Sequence, residues 1–324
     1  MKTGTSGVPF GTRPIRYAFS NSRIKAMKAD LLSRKEIDEM AEADRIADVM
    51  GVLGRTDYKG DFSDFELKHS GADLVEFALG RHLVRKSRKI LSFTPKEALP
   101  PVLSVLEKWD VYNLKTILLA KHLGHSKEAI APFLVPAGTF STEELSRIQD
   151  HESVGDVARF IEGTAYGAAL KPLLPEYKKA KKIQPLLSAV EKTFYSKLPT
   201  MIPKGTADGD KMLSLIRADI DARNVVNILR GKREGASEAR IKAYLIAGGT
   251  LSNHELGKLV QAKTPEEAVQ AATDKYRLGD ALKNYPKKSI IVGIETELER
   301  RMVMQGLRTL RMSVLSAGSL VGYL

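Results

Sequence analysis

Three short segments with the same order of residues recur along this chain at nearly equal intervals. Each has an apolar residue, a serine, a glutamate three positions after the serine, and then an aliphatic residue. These segments lie at positions 32–37, 140–145 and 251–256, with Ser33, Ser141 and Ser252 as their serines. In a capping box, the serine side chain accepts from the third helical amide, and the glutamate accepts from the serine amide. Three such boxes at one period predict three copies of one helical unit.

Each segment also carries the hydrophobic staple of a helix start, in which the residue before the serine packs against the residue four positions after it. The expected pairs are Leu32 with Ile37, Phe140 with Leu145, and Leu251 with Leu256. A second short helix is predicted to begin near Ser153 in the middle copy and near Thr264 in the last. There Pro265 suits the first helical position.

A second element repeats with the same period. Asp110 and Asn113 precede one aliphatic run, and Asp221 and Asn224 precede another, at the interval that separates Ser141 from Ser252. Each run ends in basic residues and a glycine, which fit the C-terminus of a helix. The pattern predicts long helices ending at about Gly124 and Arg233.

We therefore expect an all-α fold of three repeated helical domains, at residues 1–125, 126–235 and 236–324. The long helices should run over about 95–124 and 208–233. One more period counted from Asp221 would place a third Asp-x-x-Asn helix beyond Leu324. The third repeat is therefore expected to be truncated at its last helix.

Composition excludes several classes of site. The chain has no cysteine, which removes disulfides, thiolate nucleophiles and cysteine-bound metals. No run reaches the roughly 18 apolar residues needed to cross a bilayer, and no basic start leads into an apolar signal segment. A soluble or peripheral protein is expected.

The sequence carries no convincing catalytic or cofactor motif. His122 and His125 are at helical spacing, but no further ligand lies at a suitable offset for a metal. Segment 205–211 departs from a phosphate loop, because Asp210 separates glycine from lysine and Met212 replaces serine or threonine. A Gly-x-Ser-x-Gly elbow is also absent from the sequence. We expect no enzyme activity, no metal and no cofactor.

Net charge points to an acidic partner. Fifty-one lysines and arginines against 39 acidic residues give +12, which suits nucleic acid, an anionic membrane or an acidic protein. Basic clusters occur in every predicted unit, and a solvated surface remains an alternative explanation for them. The candidate partner-binding residues are Arg81, Arg85, Lys86, Arg230, Arg300 and Arg301.

Residues 17–28, 54–58, 110–115 and 221–224 resemble segments of a known family, the C subunits of the archaeal A-type ATP synthases. This family is related to the d subunit of the vacuolar-type proton pump. The resemblance covers essentially the whole chain. It implies a funnel of three helical domains around a pseudo-threefold axis, with one end on the ring of membrane-embedded proteolipid subunits and a cavity for the tip of the central stalk.

From this resemblance we expect a non-catalytic central-stalk subunit that transmits torque during ATP-coupled ion transport. Its expected partners are the central stalk subunits and the membrane proteolipid ring, at the cytoplasmic face of the cell membrane. A basic helical-repeat protein that binds nucleic acid or acts as a scaffold is the alternative. Sparse aromatic residues count against nucleic acid, which is not an expected partner. An enzyme on an unfamiliar helical scaffold is a third possibility.

Overall fold

A computed structural model describes residues 13–63, 66–67, 69–202, 207–283, 285–312 and 317–324. These residues form α-helices, short 3-10 turns and loops, and no β-strand occurs among them. The all-α fold class is therefore confirmed.

The helices are grouped here into three consecutive series that follow the predicted domain boundaries. The first comprises α1 (Arg13–Met27), α2 (Arg34–Ala41), α3 (Ile46–Leu53), α4 (Lys59–Phe62), α5 (Gly71–Ser92), α6 (Leu99–Leu106) and α7 (Lys108–Leu123). The second comprises α8 (Lys127–Ile130), α9 (Thr142–Gln149), α10 (Val154–Phe160), α11 (Ala165–Leu170), α12 (Leu174–Ala180), α13 (Gln184–Met201) and α14 (Ala207–Arg233). The third comprises α15 (Glu238–Ala243), α16 (Asn253–Gln261), α17 (Pro265–Tyr276), α18 (Ile290–Met312) and α19 (Ala317–Tyr323).

All three predicted capping boxes are present, at the starts of α2, α9 and α16. The glutamate carboxylates accept hydrogen bonds from the serine amides over 2.6, 2.8 and 2.8 Å. The predicted second helices also begin as expected, with Ser153 and Thr264 as N-caps. Local sequence signals therefore define these helix starts correctly.

The staples differ among the copies. Leu145 and Leu256 are buried in hydrophobic clusters together with Phe140 and Leu251, respectively. Ile37 in the first copy is instead 46% exposed. Ile37 lines a groove that also contains residues of the other two series.

One predicted long helix is two helices in the structure. The segment expected at 95–124 consists of a 3-10 turn at Lys96–Ala98, then α6 and α7, with the break at Glu107. A ψ of −16° at Glu107 tightens the chain there. Its buried carboxylate also accepts a hydrogen bond from Tyr166, over 2.8 Å, which anchors the break to the second series. Helix α14 is continuous and confirms the prediction for 208–233.

The Asp-x-x-Asn helices hold the loops that precede the capping boxes. Asp110 accepts hydrogen bonds from the Thr139 amide and hydroxyl, over 2.8 and 2.5 Å, and from the Phe140 amide, over 3.0 Å. Asn113 pairs with both backbone groups of Val135, over 2.8 Å each. We call this arrangement the first clamp.

The second clamp repeats the first one in the following series. Asp221 accepts from the amide and hydroxyl of Thr250 and from the Leu251 amide. Asn224 pairs with both backbone groups of Ile246, over 2.8 Å each. All four clamp side chains are buried, and burial of such polar groups is tolerated because they are hydrogen-bonded.

The hydrophobic clusters extend across the boundaries of the sequence repeat. Leu114, Ile117 and Leu118 of α7 pack with residues of α9 to α13. Val225 and Ile228 of α14 likewise pack with residues of α16 to α18. The last helix of each of the first two series therefore completes the core of the following series.

The two ends of the described chain also meet. Helix α19 packs against α1 and α6, and Ser319 donates a 2.5 Å hydrogen bond to Asn21. Ile24 and Leu320 lie in one buried cluster with Met212 of α14. Each of the three series therefore contacts both of the others. The boundaries of the three domains and the funnel remain predictions.

Candidate partner-binding surfaces

An apolar groove opens where the three series of helices meet. It has a volume of about 500 Å³. Its lining comes from the first series (Leu31, Leu32, Ile37, Tyr58, Ser104, Val105 and Lys108), the second (Phe194, Leu198, Met212, Leu215, Ile216 and Asp219) and the third (Met302, Val303, Gly306, Leu307, Val321, Gly322, Tyr323 and Leu324). We call this feature the groove.

Several apolar side chains on the groove are accessible to solvent. Leu31, Ile37 and Val303 are 41%, 46% and 62% exposed. Exposed apolar groups that converge on one depression are typical of an interaction site, whereas single exposed hydrophobic residues are ordinary. The groove can therefore receive an apolar segment of another molecule.

The polar content of the groove is small. Among the described residues that line it, only Lys108 and Asp219 are charged. The Asp219 carboxylate is occupied by hydrogen bonds from Tyr195, over 2.5 Å, and Arg223, over 3.2 Å. Burial and the nearby Asp219 raise the pKa of Tyr195 well above its ordinary value, so this phenol stays a donor. The groove offers binding surface rather than paired acid and base groups.

The structure places three of the predicted basic residues on α5. Arg85 forms ion pairs with Asp57, over 3.1 Å, and with the buried Asp61, over 2.8 Å. The His82 imidazole donates a hydrogen bond of 2.8 Å to the Asp61 carboxylate and stacks on Tyr58. Arg81 is exposed on the same helix.

Lys86 is buried, with 5% of its surface exposed. Its ammonium group lies 2.7 Å from both Asp30 and Asp57. Burial lowers the pKa of Lys86, but hydrogen bonds to these two carboxylates outweigh that effect and raise it. Lys86 therefore joins α5 to the chain segments at Asp30 and Asp57 and does not offer a free surface charge.

The same network sets the charge state of its carboxylates. Burial raises the pKa of Asp61, but hydrogen bonds from Arg85 and His82 outweigh it, so the net shift is downward. Burial also lowers the pKa of His82 despite the attraction of Asp61. At neutral pH the network therefore contains ionised carboxylates beside a neutral imidazole.

The other predicted basic residues lie on α14 and α18. Arg230 forms an ion pair with Glu295. Arg300 and Arg301 share Glu297, over 2.9 and 3.5 Å, and the hydrogen bond from Arg300 lowers the pKa of that carboxyl. All three guanidinium side chains keep about half or more of their surface exposed. The predicted basic residues therefore lie in separate groups, one on α5 and the others on α14 and α18.

The groove is not apparent from the amino-acid sequence. Its lining residues belong to helices far apart in the chain, and each residue alone resembles an ordinary core position. The sequence offers one signal for it. Leu31 and Leu32 are two consecutive leucines before the first capping box, where a single apolar residue, Leu32, is enough to form the staple with Ile37.

Two other kinds of feature are absent from the described residues. In this part of the chain, no group of three or more histidines, aspartates or glutamates is arranged to hold a metal ion. Nor does any helix there combine the length and the apolar character that crossing a membrane requires.

Comparison with known proteins gives a consistent result. Residues 20–324 match the family model described as "ATP synthase (C/AC39) subunit". The chain is 26% identical to the A-type ATP synthase C subunit of Thermoplasma acidophilum, over 94% of this chain and 88% of the relative. It is 28% identical to the corresponding C subunit of Haloferax volcanii, over 87% and 81%. For the C subunit of Methanocaldococcus jannaschii the identity is 26%, over 94% and 78%.

Proposed function

This chain belongs to the ATP synthase (C/AC39) subunit family, and from that premise we propose that it links the central rotor stalk to the membrane proteolipid ring. Family membership makes it a subunit of an A/V-type ATP synthase, which is a membrane-associated complex. In the proposed role it transmits torque and catalyses no reaction itself. It acts as a peripheral protein at the cytoplasmic face of the membrane.

The groove is the observation that carries this proposal. A coupling subunit must hold the tip of the stalk firmly enough to turn with it. The groove is apolar, partly exposed and lined by all three series of helices. A stalk tip bound there would contact every series at once, so that torque would not act on one helix alone.

Rigidity is the second requirement of a torque link. Through buried side chains, the clamps tie the last helix of one series to the loop before the capping box of the next. Helices α7 and α14 also take part in the cores of the following series. Close-packed cores transmit strain rather than absorb it, which suits the proposed role.

The basic residues have a supporting part in this proposal. Arg81, Arg230, Arg300 and Arg301 are exposed enough to attract acidic regions of the stalk or ring loops. Such charges mainly steer association and set orientation. Arg85 and Lys86 would contribute chiefly by holding α5 in place through Asp57 and Asp61.

Calorimetric titration with the purified central stalk heterodimer, at physiological salt, tests the proposal. We expect a specific one-to-one complex with the wild-type chain. Val303→Asp places a charge in the groove and should weaken binding by about tenfold or more. Val292→Asp is the matched control, because Val292 lies on the same helix, is 53% exposed and does not line the groove.

One of two results would contradict the rotor link, and the other would contradict the groove as the site of stalk binding. One is the absence of a complex with the stalk heterodimer, together with tight and salt-sensitive binding to nucleic acid. The other is a complex that Val303→Asp and Val292→Asp weaken equally, which would place the stalk outside the groove.

A further inference from the structure

Helix α7 carries an exposed apolar stripe outside the groove. Tyr112, Leu119 and Leu123 are 37%, 40% and 60% exposed. They are seven and four residues apart, which places them on one face of the helix. The stripe is about 16 Å long at the rise of an α-helix, or about three turns. We call it the α7 stripe.

Two cavities adjoin the α7 stripe at Tyr112. One, of about 360 Å³, separates α7 from α13 and includes Leu119 and Phe194. The other, of about 630 Å³, is bounded by α5 and by the loop at residues 132–136. Tyr112 lines both cavities, Leu119 lines the first and Leu123 lines neither, so the two cavities meet at the Tyr112 end of the stripe.

Basic side chains outnumber carboxylates in the linings of the two cavities. Among the described residues, their linings include six basic side chains (Arg81, Arg85, Arg88, Lys108, Lys115 and Arg223) and two carboxylates (Glu76 and Glu191). Lys115 and Arg223 both pair with Glu191, over 3.7 and 2.8 Å, and Asp57 and Asp61 neutralise Arg85. Arg88 contacts the uncharged Thr142 hydroxyl over 3.4 Å, so its charge remains for a partner.

We propose that the α7 stripe and its two cavities bind an acidic amphipathic helix of about three turns from a partner protein. The apolar face of such a helix would cover Tyr112, Leu119 and Leu123. Its carboxylates would reach Arg88 on one side and Lys108 on the other. Recognition of this kind uses apolar anchors at helical spacing with complementary charges on both flanks. The stripe is aliphatic at two of its three positions, which suits a helix better than stacked bases.

A labelled synthetic peptide can test this directly with the 324-residue chain. The probe is a fluorescein-labelled helix of about three turns, with leucines on one face and glutamates elsewhere. Fluorescence anisotropy is measured at about 0.15 M salt. We expect saturable binding that weakens at least about tenfold with Leu119→Asp or Leu123→Asp, and at least about threefold with Arg88→Glu.

Leu79→Asp provides the matched control. Leu79 lies on α5, is 41% exposed against 40% for Leu119, and lines neither cavity. Its replacement should leave peptide binding within about twofold of wild type. Circular dichroism of each variant checks that the fold is retained. A peptide with lysines in place of the glutamates should bind far less tightly.

Several outcomes would overturn the inference. They are affinity for the acidic peptide weaker than about 1 mM, equal weakening by Leu79→Asp and Leu119→Asp, or equal affinity for a scrambled peptide without an apolar face. Binding of single-stranded RNA that falls with Arg88→Glu but not with Leu119→Asp, without peptide binding, would reassign the surface to nucleic acid. The substituted residues lie outside the groove. A failure of peptide binding would therefore leave the proposed binding of the stalk in the groove untouched.

Discussion

Removal of the Asp110 carboxylate should destabilise the protein through one identifiable clamp. In Asp110→Ala, the amides of Thr139 and Phe140 lose their acceptor, as does the Thr139 hydroxyl. An amide left unpaired costs about 1–3 kcal/mol when it stays buried. Thr139 is exposed, so its groups can partly turn to water. We therefore expect a loss of about 2–4 kcal/mol in the free energy of unfolding.

Gly138, which lies beside the first clamp, allows the role of the Asp110 carboxylate to be tested with a pair of variants. A Cβ atom added at Gly138 would overlap the Asp110 carboxylate, so Gly138→Ala should also be destabilising. Gly138 is not among the residues with a positive φ, and its backbone therefore tolerates alanine. In the double variant, the space left by the carboxylate accommodates the new methyl group. The double variant should therefore lose less free energy of unfolding than the sum of the losses in the two single variants, by about 1 kcal/mol or more.

Wild type, the two single variants and the double variant form a double-mutant cycle. Urea denaturation measures the free energy of unfolding of all four proteins. Trp109 is the only tryptophan and lies beside Asp110 on α7, so its fluorescence reports on the clamp. Circular dichroism follows the helices as a whole, and coincident transitions justify a two-state treatment. Additive costs for Asp110→Ala and Gly138→Ala, or a loss below about 1 kcal/mol for Asp110→Ala, would refute the reasoning.

Three further effects follow from contacts described above. Ser252→Ala removes one capping box and should lower the urea midpoint by an amount equivalent to about 1 kcal/mol. Arg230→Ala breaks the half-exposed pair with Glu295 and should cost less than about 1 kcal/mol in the same assay. Because the pKa of Asp61 is depressed in the folded state, its contribution to stability should be complete above about pH 4 and fall as the pH drops through the folded pKa. Thermal unfolding at a series of pH values should show Asp61→Asn to be less pH-dependent than wild type in that range.

The features that were predicted correctly from the sequence are local ones. A capping box needs four consecutive residues, so Ser33 and Glu36 could be assigned without knowledge of the fold. The Asp-x-x-Asn helices were recognised by period alone. The partners of Asp110 lie 29 and 30 residues away, and no rule of spacing indicates that distance.

The features that the sequence did not reveal depend on long-range packing. Lys86 lies within a basic run, yet Asp30 and Asp57 bury its charge after the chain folds back. The break at Glu107 lies at another long-range contact, because Tyr166 and Lys197 of the second series both bind its carboxylate. The groove combines Leu31, Ile216 and Val303 from three series. Charge patterns in sequence therefore overestimate the number of basic side chains that a partner can reach.

The position of α7 affects how the chain could be divided into fragments. Residues 126–235 make one period of the sequence, but a fragment cut there would lack Leu114, Ile117 and Leu118, which fill the middle core. Nearly all of that cluster lies between Val111 and Leu198. A fragment of residues 108–202 should therefore retain helical structure better than a fragment cut at the repeat boundaries. The segment that is duplicated in the sequence and the segment that contains the middle core are thus displaced from one another by about one helix.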